Sequence, residues 1–436
     1  MATVEKLAIA GGSPVVPAGA HGHWPDITDA DRKAVLAVLD RGVLSGAHAP
    51  EITALEQDWA AYVGARYCIA TNSGTAALHL ALAGVNVQRG DEVIVPAYTF
   101  IATAAAVAHQ GAHPVFCDID ERTFAIDPGL IEALVTERTR AIMPVHIHGL
   151  PADMRRVNEI ADAHGLAVIE DAAQSHGATY EGKRTGGLGD AAGFSLNATK
   201  NLSGGEGGLF VTDDDDVFAA ARRLSVFGED VLPVESGEFR SYYAHALGWN
   251  YRNQELSSAF ARSQLRRLDA YNETAQRNGA VLADGLGELP GISPPQVPDD
   301  RTSVYHKYRV MIDPDALGFD GPAPELRDRL VHALRAEGVE AVLWQVLPLP
   351  AYPAFRRPRY VPWHPSRDDE PLTTWDPSAF PASVRVLESS LVLGSEGRPL
   401  FVQEQSLMER YVEAFAKVLD HLDEVLAGSF EPVPLR

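Results

Sequence analysis

The feature that most constrains the fold is a regular alternation of short apolar runs and longer helical patterns between residues 67 and 212. Such alternation is typical of βαβ units, which build a mostly parallel sheet. Several runs are apolar throughout, as expected for strands that are covered on both faces. The pattern predicts an α/β fold with a three-layer, mostly parallel sheet of seven strands: Tyr67–Thr71, Glu92–Val95, Pro114–Cys117, Ala141–Val145, Ala167–Glu170, Ala192–Ser195 and Leu209–Thr212.

Helical patterns flank this region on both sides. Before it, Thr28–Leu39 is amphipathic, with Thr28 as N-cap and Asp31 three residues later, and Glu51–Val63 predicts a second helix. We expect a large domain over residues 1–265, including these N-terminal helices, and a smaller C-terminal α+β domain over residues 266–436.

The smaller domain is predicted from four segments: helices over Ser263–Leu286, Pro324–Glu337 and Gln403–Ala427, and a strand over Tyr308–Ile312. Between them, Pro348–Pro381 is rich in Pro, Arg, Asp and Trp and has no periodicity. A segment of this length without regular structure is usually functional, so we expect a lid or a loop that faces a partner.

Composition excludes several classes of protein. The 37 Lys and Arg residues against 59 Asp and Glu residues give a net charge of −22, which disfavours nucleic acid and anionic membranes as partners. No apolar run reaches the roughly 18 to 20 residues of a membrane-spanning helix, and no signal peptide is evident, so we expect a cytoplasmic protein. Cys68 and Cys117 lie in apolar runs and are predicted to be small buried hydrophobes.

Polar residues follow the predicted strands at positions where open α/β sheets bind ligands. The segment Asn72–Leu78 leaves a strand and opens a helix, so the backbone amides of Gly74 and Thr75 could bind a phosphate. Small residues at such a turn serve packing equally often. Asp171 ends another strand and could hold a protonated ring nitrogen of a cofactor, or it could cap the next helix.

A third strand is followed by Lys200 and by the glycine-rich stretch Ser203–Gly208. A desolvated amine at this place could form a Schiff base with an aldehyde cofactor, and the competing interpretation is a surface lysine. A phosphate site, a partner for a pyridinium nitrogen and a Schiff-base amine are together the groups that pyridoxal phosphate requires.

With these residues, the chain resembles the DegT/DnrJ/EryC1/StrS family of pyridoxal-phosphate-dependent sugar and aminocyclitol aminotransferases, which have fold type I. The resemblance runs from about Trp24 to Leu426 and is carried by six segments: Asn72–Leu82, Gly90–Phe100, Val145–Gly149, Ile169–Gly177, Phe194–Gly208 and Gly248–Arg252. It implies that an amino group passes from an amino acid, glutamine or glutamate, to a keto sugar or keto cyclitol in secondary-metabolite or sugar biosynthesis. The C-terminal pattern Glu413–Val418 is more similar to the glutamine-using cyclitol branch.

The resemblance also implies roles for single residues. Lys200 matches the Schiff-base lysine, and Asp171 matches the carboxylate that pairs with the ring nitrogen; these two are the catalytic residues. Phe100 matches the aromatic residue that stacks on the pyridine ring, although an aromatic at the end of a strand is more often core. Gln174 matches a glutamine near the phenolic oxygen, and its alternative interpretation is an amide on a helix surface.

The phosphate of the cofactor is expected to be bound from two subunits. The resemblance implies that Ser195 and the amides of Gly74 and Thr75 bind it from one subunit, and that Asn250 reaches it from the neighbouring subunit. It therefore implies an obligate homodimer with shared sites.

Two other functions stay open at this point. A pyridoxal-phosphate enzyme of the same fold could catalyse dehydration, an oxidative step or other amino-acid chemistry. The family's sugar dehydratases carry histidine in place of the Schiff-base lysine, so Lys200 disfavours that branch. The other function is a non-catalytic cofactor-binding regulator, which the intact site and the net charge of −22 disfavour.

Several polar residues have less certain roles. His146 and His148 lie two residues apart, which suggests a metal site, but a polar strand end lining the pocket is the favoured interpretation. Arg240, Tyr243, Arg252 and Lys307 could face the substrate, and solvated loop residues are the favoured interpretation for each.

Overall fold

A computed structural model describes residues 6–46, 48–230, 243–356 and 373–428 of the chain. The strands are β1 (Tyr67–Thr71), β2 (Glu92–Pro96), β3 (His113–Cys117), β4 (Thr139–Ile142), β5 (Ala167–Asp171), β6 (Thr179–Tyr180), β7 (Lys183–Arg184), β8 (Ala191–Ser195), β9 (Gly208–Thr212), β10 (Ile292–Ser293), β11 (Tyr308–Ile312), β12 (Ala341–Val342) and β13 (Ser390–Leu393).

The α-helices of the same ranges are α1 (Asp29–Arg41), α2 (Pro50–Val63), α3 (Gly74–Gly84), α4 (Ala102–His109), α5 (Pro128–Ile131), α6 (Met154–His164), α7 (Asp215–Ser225), α8 (Glu255–Leu265), α9 (Leu268–Gly287), α10 (Ala323–Ala336), α11 (Pro353–Arg356), α12 (Pro381–Glu388), α13 (Gln405–Asp420) and α14 (Leu422–Ala427).

The predicted seven-stranded sheet is confirmed, with the strand order β1-β9-β8-β5-β4-β2-β3. Only β9 runs against the other strands, so the sheet is mixed and mostly parallel. All seven predicted runs are strands, but the predicted range Ala141–Val145 is wrong by a few residues, since β4 ends at Ile142. Pro144 has no N–H to continue the ladder, and Val145 makes only an isolated bridge with Asp171.

The sheet is the middle layer of three, as predicted. On one face, Val93, Val95 and Phe210 pack against α3 and α4 in a single apolar cluster. On the opposite face, alternate residues of the same strands pack against α2 and α6. Cys68 and Cys117 are free thiols buried in these clusters, which confirms their interpretation as small core residues.

The smaller part of the fold is built on an antiparallel sheet with the order β10-β11-β13-β12. Helices α9, α10 and α13 pack on it, and Leu7 and Val16 from the N-terminal segment join the same core. The class of both parts is as predicted, and the boundary after residue 265 stays a prediction. The predicted range Pro348–Pro381 lies partly outside the described residues, since 357–372 are not described.

Two predicted helices are each divided into two in the structure, so their predicted ranges are wrong. The range Ser263–Leu286 spans the end of α8 and most of α9, which are separated at Arg266 and Arg267. The guanidinium of Arg267 binds the Thr28 hydroxyl and the Asp31 carboxylate, contacts that no local pattern shows. The range Gln403–Ala427 likewise divides into α13 and α14 at His421.

The N-terminal helix confirms its predicted start. Thr28 and Asp31 form a capping box at the beginning of α1, because each side chain satisfies a backbone amide of the other residue. Among the described helices, none is both long and apolar enough to cross a bilayer.

Asp118 connects the loop after β3 to helix α12. Its buried carboxylate accepts hydrogen bonds from the Ala382 amide (2.8 Å), the Ser383 amide (2.9 Å) and the Ser383 hydroxyl (2.5 Å). The substitution Asp118→Ala leaves these donors without a partner and should lower the free energy of unfolding by about 1–3 kcal/mol, measured by urea denaturation. Asp162→Ala, at an exposed position on α6, is the control and should cause no comparable loss.

Candidate active site

A cavity of about 450 Å³ opens at the carboxyl ends of the strands, on the side where β5, β8 and helix α3 meet. Seven of the eight predicted site residues line it: Gly74, Thr75, Phe100, Asp171, Gln174, Ser195 and Lys200. The remaining lining residues are Ser73, Leu78, Thr99, Ala102, Ala173, Asn197, Ala198, Thr199, Glu206, His306, Lys307, Trp344 and Glu396. Residues more than 300 positions apart in sequence therefore meet in one site.

The start of helix α3 forms one wall of the cavity. Ser73 caps the helix by accepting a hydrogen bond from the Ala76 amide (3.1 Å), so the amides of Gly74 and Thr75 lie at the positive end of the helix dipole. A methyl group on Gly74 would lie 2.8 Å from the Ser195 Cβ, closer than real side chains approach. Residue 74 must therefore be glycine for the first turn of α3 to approach Ser195 this closely.

Asp171 ends strand β5 as a buried carboxylate. It accepts hydrogen bonds from the Thr103 hydroxyl (2.6 Å) and the Ala173 amide (3.2 Å), and no helix begins in the following turns, so helix capping is not its role. Burial raises the pKa of the Asp171 carboxyl, while the Thr103 hydrogen bond acts in the opposite direction. A cation bound at this place would stabilise the charged carboxylate.

Lys200 follows β8 and is partly buried, so it is not the solvated surface lysine of the alternative interpretation. Burial lowers the pKa of Lys200 to about 8, and the positive charge of Lys307 adds to this effect. The carboxylates of Asp171 and Glu396 act in the opposite direction. A larger fraction of this amine than of an ordinary lysine is therefore uncharged and nucleophilic near neutral pH.

Phe100 and Gln174 complete the wall between Asp171 and Lys200. The Phe100 side chain is 53% exposed although it follows a buried strand, so it is not a core residue and its ring is open to the cavity. Gln174 is buried, and its Oε1 accepts a hydrogen bond from the His148 amide (2.8 Å). The alternative interpretation of Gln174 as a helix-surface amide is wrong, and its NH₂ group remains for a ligand.

Asn250 is the one predicted site residue that is not among those lining the cavity. It is exposed, its backbone oxygen accepts from the Asn72 side chain (3.2 Å), and its Oδ1 accepts from Arg252 (3.1 Å). Tyr243 is 71% exposed, and Arg240 lies outside the described residues. A role for Asn250 toward a second subunit stays a prediction.

The favoured interpretation of Lys307 as a solvated loop residue is wrong. Its side chain is only 6% exposed and lines the cavity, next to the buried His306. Thr103, which holds Asp171, and Trp344 were not identified from sequence. Lys307 was considered as a substrate-facing residue, which agrees with its place on the cavity. His306 and Trp344 lie far from the predicted motifs in sequence, and no local signal distinguishes them.

His146 and His148 belong to the core beneath the site. The Nε2 of His146 contacts Glu170 (2.9 Å), and its Nδ1 accepts from the Ala152 amide, so the Nε2 carries the proton. His148 accepts a hydrogen bond from the Tyr98 hydroxyl (2.6 Å). No cluster of metal-ligating side chains occurs among the described residues, and neither histidine is among the residues that line the cavity.

A model of the DegT/DnrJ/EryC1/StrS aminotransferase family matches residues 25–365 of the chain. The chain belongs to this family. A family relationship is also seen with single proteins: a "pleiotropic regulatory protein" of Geobacillus stearothermophilus is 40% identical over 306 residues, which are 69% of this chain and 76% of that protein.

Two further comparisons agree with this membership. A Streptomyces kanamyceticus protein, provisionally named an L-glutamine:3-amino-2,3-dideoxy-scyllo-inosose aminotransferase, is 37% identical over 77% of this chain and 78% of its own length. The crystal structure of 3-amino-5-hydroxybenzoic acid synthase superposes with a TM-score of 0.79 at 28% identity, covering 93% of this chain and 99% of that one.

As a DegT/DnrJ/EryC1/StrS aminotransferase, the chain is an enzyme that depends on pyridoxal phosphate. The cavity fits this cofactor. The close approach of Gly74 to Ser195 leaves room and donors for a phosphate, the Phe100 ring offers a flat apolar surface, and the buried Asp171 needs a cation to compensate its charge. The Lys200 amine lies on the same cavity.

The lowered pKa of Lys200 can be tested on cofactor-free protein. Because burial disfavours the ammonium form, Lys200 should lose its proton at lower pH than a free lysine side chain, whose pKa is about 10.4. Competitive acetylation followed by mass spectrometry, with N-acetyl-lysine amide as internal standard, should show half-maximal labelling of Lys200 near pH 8. Labelling that follows the standard across the titration would contradict the desolvation argument.

Proposed function

We propose that this enzyme transfers an amino group from glutamine or glutamate to a keto sugar or keto cyclitol. The observation that carries the proposal is the meeting of Lys200, Asp171 and the Gly74–Ser195 contact on one cavity. The name of the Streptomyces kanamyceticus relative supports glutamine as donor and a cyclitol as acceptor.

The cofactor supplies an aldehyde for amine exchange and a pyridinium ring that accepts electrons. Lys200 would hold the aldehyde group of the cofactor through its Nζ. The same amine, when uncharged, would accept the proton of the substrate carbon and return it. The pKa near 8 suits an amine that must accept and release a proton near neutral pH.

The other residues of the cavity would hold and orient the cofactor. Asp171, whose carboxylate accepts a hydrogen bond from the Thr103 hydroxyl, would keep a ring nitrogen protonated. Phe100 would offer a flat apolar surface to the ring. The Gln174 NH₂ would be available as a donor, since its Oε1 already accepts from the His148 amide. Ser195 and the amides of Gly74 and Thr75 would bind the phosphate.

The decisive experiment follows the absorbance of the pyridoxal-phosphate-loaded enzyme. L-glutamine, L-glutamate and L-alanine are added separately. The amino acid that is the donor should convert the bound cofactor from its aldehyde to its amine form. Lys200→Ala should reduce this conversion by at least about a thousandfold, because both the covalent amine and the proton carrier are lost. Lys183→Ala, at an exposed position, is the matched control and should react as wild type.

Two results would change the assignment. Conversion by Lys200→Ala at the wild-type rate would remove Lys200 from the catalytic role. A loaded wild-type enzyme that no donor converts would favour another reaction of the same fold over transamination.

We further propose a homodimer in which Asn250 contributes to the site of its neighbour. Three large side chains near Asn250 are exposed: Leu247 at 97%, Tyr243 at 71%, and Phe227 at 44%, which follows the Val226 that pairs with Asn250. Helix α1 adds exposed Leu36 and Leu39. These five exposed side chains support a surface that is covered by another protein chain.

A shared site can be tested by mixing two inactive variants. Lys200→Ala and Asn250→Ala should each be inactive or strongly impaired alone. After subunit exchange, about a quarter of wild-type activity should return, because half of random pairs are mixed and each mixed pair has one intact site. Absence of any recovery, with exchange verified by native mass spectrometry, would contradict sharing.

A further inference from the structure

The cavity contains a second buried cation besides Lys200. Among the described residues that line it, only Lys200 and Lys307 carry a positively charged side chain, because burial holds the pKa of His306 well below its ordinary value. Lys307 immediately precedes β11 of the small antiparallel sheet and lines the same cavity as Lys200.

Lys307 has no compensating carboxylate within ion-pair distance in the described part of the chain. Glu396 faces the same cavity, and its charge favours the charged form of Lys307, but Glu396 is exposed and makes no ion pair with Lys307 in the described part of the chain. Asp171 is already bound by Thr103 and Ala173, and Glu206 accepts from the Asn197 side chain. A buried charge is normally paired, so an exposed carboxylate without an ion pair leaves the burial of Lys307 only partly compensated.

Another buried cation, Arg309, follows Lys307 by two residues and lies in β11. It is 1% exposed, and its guanidinium binds the Ser390 hydroxyl and the neutral His148. Its Nη2 has no partner among the described residues. Besides burial, the charges of Arg309 and Lys307 both lower the pKa of His148, so they act on one region, and an anion bound to Lys307 would relieve their repulsion.

The proposed reaction supplies such an anion. Glutamine, glutamate and the oxo acids they leave behind all carry an α-carboxylate, whereas a keto cyclitol carries no charge. We propose that Lys307 binds the α-carboxylate of the amino donor and so fixes the donor amine toward Lys200. This inference rests on the proposed transamination and adds a donor-binding residue to it.

The test separates the two half-reactions of the loaded enzyme. For Lys307→Met, the half-saturating concentration of L-glutamine, or of whichever donor reacts, should rise about ten- to a hundredfold. The maximal rate of the first half-reaction should change much less. Lys307→Arg keeps the charge and should retain part of the affinity, and Lys183→Met, the same change at an exposed position, should behave as wild type.

A second measurement does not depend on turnover. By calorimetry, the wild-type loaded enzyme should bind 4-carbamoylbutanoate, which is glutamine without its amino group, at least about tenfold more tightly than the neutral glutaramide. Lys307→Met should abolish this preference for the carboxylate. The melting temperature of each variant shows whether it is folded.

Each outcome has a defined meaning. Unchanged donor saturation in folded Lys307→Met would overturn the proposal, and so would equal binding of carboxylate and amide by the wild type. A defect confined to the acceptor half-reaction would overturn it as well, because it would assign Lys307 to the phosphate of a nucleotide-linked sugar. Failure of every donor with the wild type would refute transamination itself, and the carboxylate preference would still test Lys307.

Discussion

The contact between Gly74 and Ser195 is the constraint on which the site depends. It brings the positive end of helix α3 against the end of strand β8, and a single methyl group at residue 74 would prevent it. The contact fixes the wall that we propose to bind the phosphate, and the register of β8 with β5 then places Asp171 beside it. Lys200 follows β8 by five residues and is positioned by the same strand. One close backbone approach therefore orients three groups of different chemistry.

Burial then gives those groups their reactivity. The same desolvation lowers the pKa of Lys200 and raises the pKa of Asp171, which disfavours the charged form of each. The surroundings then act on the two groups in different ways. Hydrogen bonds from Thr103 and Ala173 favour the charged form of Asp171, whereas the charge of Lys307 further disfavours the charged form of Lys200. The result is an amine that is easily deprotonated beside a carboxylate that is held for a cation.

The small antiparallel sheet also contributes residues to the cavity. It brings Lys307 and His306 to the cavity, so the site is lined by residues of both parts of the fold. The regulatory name of the Geobacillus stearothermophilus relative does not conflict with the proposed catalysis, because the residues proposed for it line one cavity in this chain. The synthase with the same fold shows that this architecture also serves other named products.

The sequence by itself determined the seven-stranded sheet, its three layers and the residues that follow its strands, because strand periodicity, helix starts and motif residues are local properties. It also predicted that Gly74, Asp171, Ser195 and Lys200 would share one edge, since the carboxyl ends of parallel strands meet there. Tertiary structure alone decided the rest. The break between α8 and α9 and the burial of Lys307 depend on contacts between distant segments, and no local pattern contains the desolvation that those contacts impose.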